Sequence, residues 1–200
     1  MRYGGNRMKQ FFDEIRLEVI KAVKKDIKKI LKQIGEEKAY GAALVTDSDC
    51  ITLYLAVNTY EKMREKDLKY MNMLKAHLSE QQIEGLTNGN LSITKWAPAE
   101  WAYSDERESE LNNVSKLLYK KEEANSSEYA ENMALFFEAV TDAWKTLIAD
   151  KVFGEKTEEI TFFISMSDDN RSETIENYSA SQLNRQELYE AFLKRAEERA

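Results

Sequence analysis

One cysteine, one proline, one histidine and seven glycines are spread over 200 residues, and each scarcity excludes something. Cys50 alone cannot form an internal disulfide, which fits a reducing compartment. The usual zinc sites gather several Cys and His at short spacings, and this chain has one of each. The glycines, at positions 4, 5, 35, 41, 85, 89 and 154, match neither a phosphate loop nor a dinucleotide fingerprint, and there is no Gly-x-Ser-x-Gly elbow. Any histidine-dependent triad would have to use His77. That residue lies near the end of an amphipathic stretch beside Leu74 and Leu78, with no nucleophile signature, and reads as structural. No run approaches the roughly 18 consecutive apolar residues of a membrane helix. The start, Met1-Arg2-Tyr3-Gly4-Gly5-Asn6, leads into a charged helix rather than an apolar signal core. These observations imply a cytoplasmic protein with no cofactor, no small-molecule ligand and no membrane partner.

What is present suits a single globular domain over residues 1–200: 42% hydrophobic, 10% aromatic and 32% charged residues. The net charge of −7 hides an asymmetry. Residues 1–34 carry ten basic and four acidic side chains, a local +6, and the remainder carries −13. An acidic body repels phosphate backbones, so nucleic-acid binding is disfavoured. The lysine run could meet an acidic partner, but most simply it is the solvated face of an amphipathic helix.

The spacing of Phe12, Ile15, Val19, Val23, Ile27 and Ile34 predicts a helix over 6–34, capped by Gly35. Two strands follow, Tyr40–Thr46 and Ile51–Asn58, the second with Ile51, Leu53, Leu55 and Val57 on one face; Asp47-Ser48-Asp49-Cys50 joins them as a hairpin. Asn58 or Thr59 can cap a helix from Tyr60 to Leu78, with Met63, Tyr70, Met71, Leu74 and Leu78 inward. A Gly- and Asn-rich loop, Glu84–Asn90, then leads to a short strand, Leu91–Trp96. Helices are expected from Ser104 or Asp105 to Lys121 and from Ser126 or Ser127 past Ile148. Ile160–Ile164, β-branched or aromatic throughout, reads as a central strand covered on both faces. Asn184-Arg185-Gln186-Glu187 has the residue types of a capping box opening a last helix. The order argues for an α+β domain: a mainly antiparallel sheet of about four strands flanked by helices, with a long N-terminal helix.

Two groups of acids merit attention as chemistry. Asp47 and Asp49 follow the first strand, while Asp168 and Asp169 follow the Ile160 strand. If those strands are parallel neighbours, four carboxylates share one end of the sheet, where oxygen ligands could hold Mg²⁺ or Ca²⁺. Aspartates are also ordinary turn formers, and that reading is the simpler one. Glu100 either sits desolvated between tryptophans, with the raised pKa of an acid catalyst, or stands in the first turn of a short helix begun by Pro98.

The most concentrated segment is Trp96-Ala97-Pro98-Ala99-Glu100-Trp101-Ala102-Tyr103, with two of the three tryptophans and the only proline. Its aromatics read as core anchors, with Trp96, Pro98, Glu100, Trp101 and Tyr103 as the partner-binding candidates should they be exposed. Together with Tyr40-Gly41-Ala42-Ala43-Leu44-Val45-Thr46-Asp47 and Ile160-Thr161-Phe162-Phe163-Ile164-Ser165-Met166-Ser167-Asp168, this segment resembles a bacterial family of domains of unknown function. The resemblance implies a single cytoplasmic domain of about this length and brings no activity with it. In that family Ser or Thr often precedes the proline and completes a capping box with the glutamate; Ala97 leaves Glu100 without that partner. Small domains of this style are similar to immunity proteins, an analogy of fold alone. The expected function is therefore a non-enzymatic protein-binding module, immunity- or antitoxin-like, with a toxin-like protein or a second copy as partner. The rival is a carboxylate hydrolase or metal-dependent enzyme using Glu100 or Asp47, Asp49, Asp168 and Asp169.

Overall fold

A three-stranded sheet holds the centre of the computed structural model, which describes residues 3–104, 109–124 and 129–200. Strand β1 (Ala39–Thr46) lies in the middle, antiparallel to β2 (Tyr54–Thr59) and parallel to β3 (Thr161–Met166). The expectation of about four mainly antiparallel strands is corrected on both counts: among the described residues there are three, with one antiparallel and one parallel pairing. The strand expected at Leu91–Trp96 does not form, because its amides go elsewhere. Asp67, buried in the second helix, accepts from Ile93 N (3.1 Å), Thr94 N (2.9 Å) and the Thr94 hydroxyl (2.9 Å), bending the segment around one carboxylate oxygen. Only Ser92 pairs as a strand would, with the C-terminal residues.

Strand β3 is fully buried, as expected, yet it is an edge and not the centre. An uncovered edge would invite pairing with another chain. Here helix α6 (Ser172–Leu183) and the residue after it supply the missing partners from side chains. Asn184 accepts from Phe162 N (2.8 Å) and donates to Phe162 O (2.7 Å), while the Ser179 hydroxyl oxygen accepts from Ile164 N (2.9 Å). Asn184 is thus spent on the sheet and does not form the expected capping box; the last helix, Gln186–Leu193, follows Arg185 without a side-chain cap. The free edge of β2 is met at one point by Tyr103, whose N–H and C=O pair with Val57 at 3.1 and 2.9 Å.

Each face of the sheet carries helices. Against Ala42, Leu44, Leu55, Val57, Phe162 and Ile164 pack α1 (Tyr3–Ile34), α4 (Leu111–Ala124) and α5 (Tyr129–Ala149), the last through Phe136, Val140, Trp144 and Leu147. Gly35, at φ +58°, ends α1 as expected. Against Ala43, Val45, Ala56 and Phe163 pack the tryptophan segment, Phe192 and Met63 of helix α2 (Tyr60–Leu74). A bulge between Ala39 and Gly41 turns Tyr40 onto this second face, out of step with Ala42.

Local chemistry sets the other boundaries. The Thr59 hydroxyl accepts from Lys62 N and starts α2, which ends four residues earlier than expected, leaving Leu74 exposed. Ser79 and Gln82 form a reciprocal capping box that opens α3 (Glu80–Asn88), and Gly89, at φ +84°, closes it. What reads as a Gly/Asn loop is therefore a helix end, and the Arg64 guanidinium reaches its Leu86 and Thr87 carbonyls. Buried Asp26 of α1 accepts from Ser109 Oγ (2.7 Å) and Glu110 N (3.1 Å) just before α4. Asp105, Ser126 and Ser127, expected to open helices, lie outside the described residues.

Candidate functional site

The tryptophan segment is consumed by the fold. Pro98 begins a single 3-10 turn, Pro98–Glu100, which points Trp101 inward; its ring is 4% exposed and stands perpendicular to Phe163 at 5.7 Å. The indole N–H donates to Lys95 O (3.1 Å), satisfying its one polar group. Gly41 of β1 makes the seat: a Cβ there would lie 2.8 Å from Trp101 Cη2. Trp96 is half-buried between Tyr40 and Phe192 and donates to Glu198 Oε2 (2.8 Å), which Lys95 also pairs with at 2.8 Å. Pro98 and Tyr103 are buried as well. Of the five partner-binding candidates, Trp96 and Glu100 keep part of their surface.

Glu100 does not resemble an acid catalyst. Lys66 approaches its carboxylate at 2.7 Å and Tyr70 donates to it at 2.7 Å, and together they hold its pKa below the ordinary 4.5. The pair braces α2 against the Pro98 turn. Glu37 is a second brace: burial raises its pKa, but the hydroxyls of Thr59 (2.6 Å) and Tyr103 (2.7 Å) and the charge of Lys62 outweigh that, and the net shift is downward. Burial, then the bond to Glu37, push the Tyr103 phenol up to about 12.

The four aspartates divide. Parallel pairing of β1 and β3 sets Thr46 opposite Met166, so Asp47 and Asp168 do follow the strands at the same end of the sheet. Asp47 spends its oxygens on its own turn, accepting from Asp49 N (3.1 Å), Ile51 N (3.0 Å) and the Thr52 hydroxyl. Asp169 is bound by Arg171, whose guanidinium and N–H lower its pKa to about 2. Asp168, at φ +55°, is an exposed turn residue. Among the described residues no three Asp, Glu, His or Cys stand close enough to hold a metal ion. His77 sits exposed in a short turn after α2.

A sizeable concave feature lies where the sequence directs no attention. A groove of about 510 Å³ opens between α5 and α6, floored by Ile164 of β3 and walled by Phe137, Thr141 and Ile175. Tyr178 stands at its lip, 63% exposed, and Glu138 rims the α5 side. The sequence signal there is Tyr178, a large aromatic left exposed in a helix that buries the polar Glu176 and Ser179 beside Ala180 and Leu183. No described helix is long and apolar enough to cross a membrane.

Residues 19–185, which include the whole tryptophan segment, match the family described as a domain of unknown function, DUF4303, and the chain belongs to that family. No curated protein and no solved structure matches it.

Proposed function

We propose that this DUF4303 member is a non-enzymatic cytoplasmic protein-binding module, in its sharpest form an immunity- or antitoxin-like inhibitor that works by covering its partner. The observation that carries the reading is the α5–α6 groove: an apolar floor, a protruding tyrosine and a polar rim are the ingredients of an interface centre, where a few aromatic anchors hold most of the binding energy. The acidic body favours a basic partner and speeds encounter with it. The bound states of Glu100, Asp47 and Asp169 agree with a protein that presents a surface rather than a reacting group.

The test uses the product of the adjacent gene, titrated calorimetrically into the purified protein. A one-to-one complex weakened by about 2 kcal/mol or more in Tyr178→Ala supports the reading. A complex indifferent to both Tyr178→Ala and Ile175→Asp removes the groove from it. The rival enzyme reading has in its favour the shared sheet end of Asp47 and Asp168. Turnover of an ester or phosphoester panel that disappears in Glu100→Gln or Asp168→Asn would put it first.

A further inference from the structure

We propose that the outer face of α4, together with the link between β1 and β2, is a second interaction surface, one that takes a short acidic segment of another protein bearing an apolar side chain. A shallow cleft of about 470 Å³ lies there, lined by Ile51 and Thr52 of the link and by Ser115, Lys116, Tyr119 and Lys120 of α4. That volume falls within the roughly 300–1,000 Å³ of ordinary ligand clefts.

Three observations converge on the occupant. Lys116, Tyr119 and Lys120 fall at helical spacing on one stripe, and Tyr119 is 53% exposed. Neither lysine has an ion-pair partner among the described residues, whereas Lys24, Lys25, Lys66 and Lys95 are each paired with an acid. On a chain of net charge −7, two cations beside a tyrosine form a local site of opposite sign, to which an anionic segment is directed by the repulsion of the rest. The apolar requirement comes from Ile51. Its alternation with Leu53, Leu55 and Val57 would carry it inward in a longer strand, but β2 begins only at Tyr54. Asp47 takes Ile51 N and the Ser115 hydroxyl takes Leu53 N (3.0 Å), so the link is held with Ile51 half-exposed at the cleft.

A nucleic acid would also bring negative charge and stacking, but its affinity grows with the number of phosphates neutralised. Two lysines end the basic stripe, and a longer strand would run onto the acidic body. A segment with one or two carboxylates around a Leu or Phe fits the cleft without that cost.

The experiment is fluorescence anisotropy with a labelled decapeptide of glutamates flanking a central Leu-Phe pair. Its controls are the same peptide with lysines for glutamates and an oligothymidine of equal length. Saturable binding of the acidic peptide alone is expected, weakened about tenfold or more by Lys116→Gln/Lys120→Gln and by Tyr119→Ala, with Tyr178→Ala neutral. Because all three side chains are surface groups, both variants should melt like the parent, which separates lost binding from lost folding. Absence of saturation by about 1 mM peptide, indifference to the lysine pair, sensitivity to Tyr178→Ala, or tighter binding of the oligothymidine would each overturn the proposal.

Discussion

Replacing Trp101 by alanine tests the role of the tryptophan segment most directly. The ring is almost wholly enclosed by Gly41, Tyr40 and Phe163, and all three belong to the sheet, so the site has little room to collapse. The polar loss is small: Lys95 O keeps the Tyr40 hydroxyl at 2.7 Å when the indole N–H is gone. The cost is therefore mostly burial and cavity, about 3–5 kcal/mol. Against a domain stability of about 5–15 kcal/mol that is a large share. With a urea m-value of about 2–3 kcal/mol/M, the denaturation midpoint should fall by roughly 1–2.5 M at unchanged m. Gly41→Ala probes the same contact from the other side. Its new methyl would press on the ring at 2.8 Å, an overpacking worth about 1–3 kcal/mol. In the double variant the alanine methyl enters the space the ring has left, so the two costs should fall well short of additive. A Trp101→Ala unfolding free energy within about 1 kcal/mol of the parent's would refute the core assignment, as would strict additivity with Gly41→Ala.

Asp67→Ala takes the acceptor from the Ile93 amide and the Thr94 hydroxyl and leaves the Thr94 amide with Ser92 Oγ alone (3.2 Å), so it should cost about 1–3 kcal/mol in a thermal melt, with Asp67→Asn, which keeps an acceptor oxygen, losing less. Changing Lys24, Lys25, Lys28 and Lys29 together to Gln should move stability by no more than about 1 kcal/mol, because the pairs to Asp150 and Glu110 are exposed and buried Asp26, which Lys29 approaches only to 3.8 Å, keeps its bonds to Ser109 and Glu110 N; a larger fall in the melt would mean that they tie α1 to the body. Glu37 and Glu100 have folded-state pKa values below the ordinary 4.5, so their contributions are present above that value and are lost as pH falls through the lowered ones. Urea midpoints measured from neutral pH down to about 3 should decline below 4.5, less steeply in Glu37→Gln, and a parallel profile for that variant would remove Glu37 from the acid response. Calorimetric titration with Mg²⁺, Ca²⁺ or Zn²⁺ should give no stoichiometric site tighter than about millimolar, and a site lost in Asp168→Asn would revive metal chemistry.

Where an element buries an apolar stripe, the sequence alone reveals it. Helix α1 has Phe12, Ile15, Val19, Val23, Ile27 and Ile34 at helical spacing, and all of them are buried. Strand β3, apolar on both faces, is buried on both, with Phe162 and Phe163 divided between the two cores. Patterns fail where polar side chains do structural work. Helix α6 buries Glu176 and Ser179 beside Ala180 and Leu183, the first against Arg195 (3.3 Å) and Ser165 (2.7 Å), so polar side chains interrupt its inner face and weaken the hydrophobic signal. Leu91–Trp96 has a strand's composition, but an aspartate 26 residues earlier takes two of its amides. No window of adjacent residues contains that information, because the competing acceptor comes from another helix.

The same reasoning separates the conspicuous residues from the available ones. Trp101, Pro98 and Tyr103 stand out in the sequence because large rings around a proline are rare, and a rare cluster satisfies a demanding local geometry: a ring seated on a glycine and a backbone bridge that meets the edge of β2. Residues spent in this way present little to a partner. Tyr178 and Tyr119 are unremarkable in their helices, yet they are the large aromatics left at the lips of the two concave surfaces. The surfaces differ in charge: Glu138 and the paired Asp142 and Lys145 line the first, while Lys116 and Lys120, without an acidic partner among the described residues, line the second. Salt should therefore weaken the α4 contact strongly, while the α5–α6 contact, resting on its apolar floor, should respond less. If one partner spans both, Tyr178→Ala and Lys116→Gln/Lys120→Gln should each reduce its affinity and only the lysine variant should flatten the salt dependence. If the partners are separate, each variant should leave the other's binding unchanged.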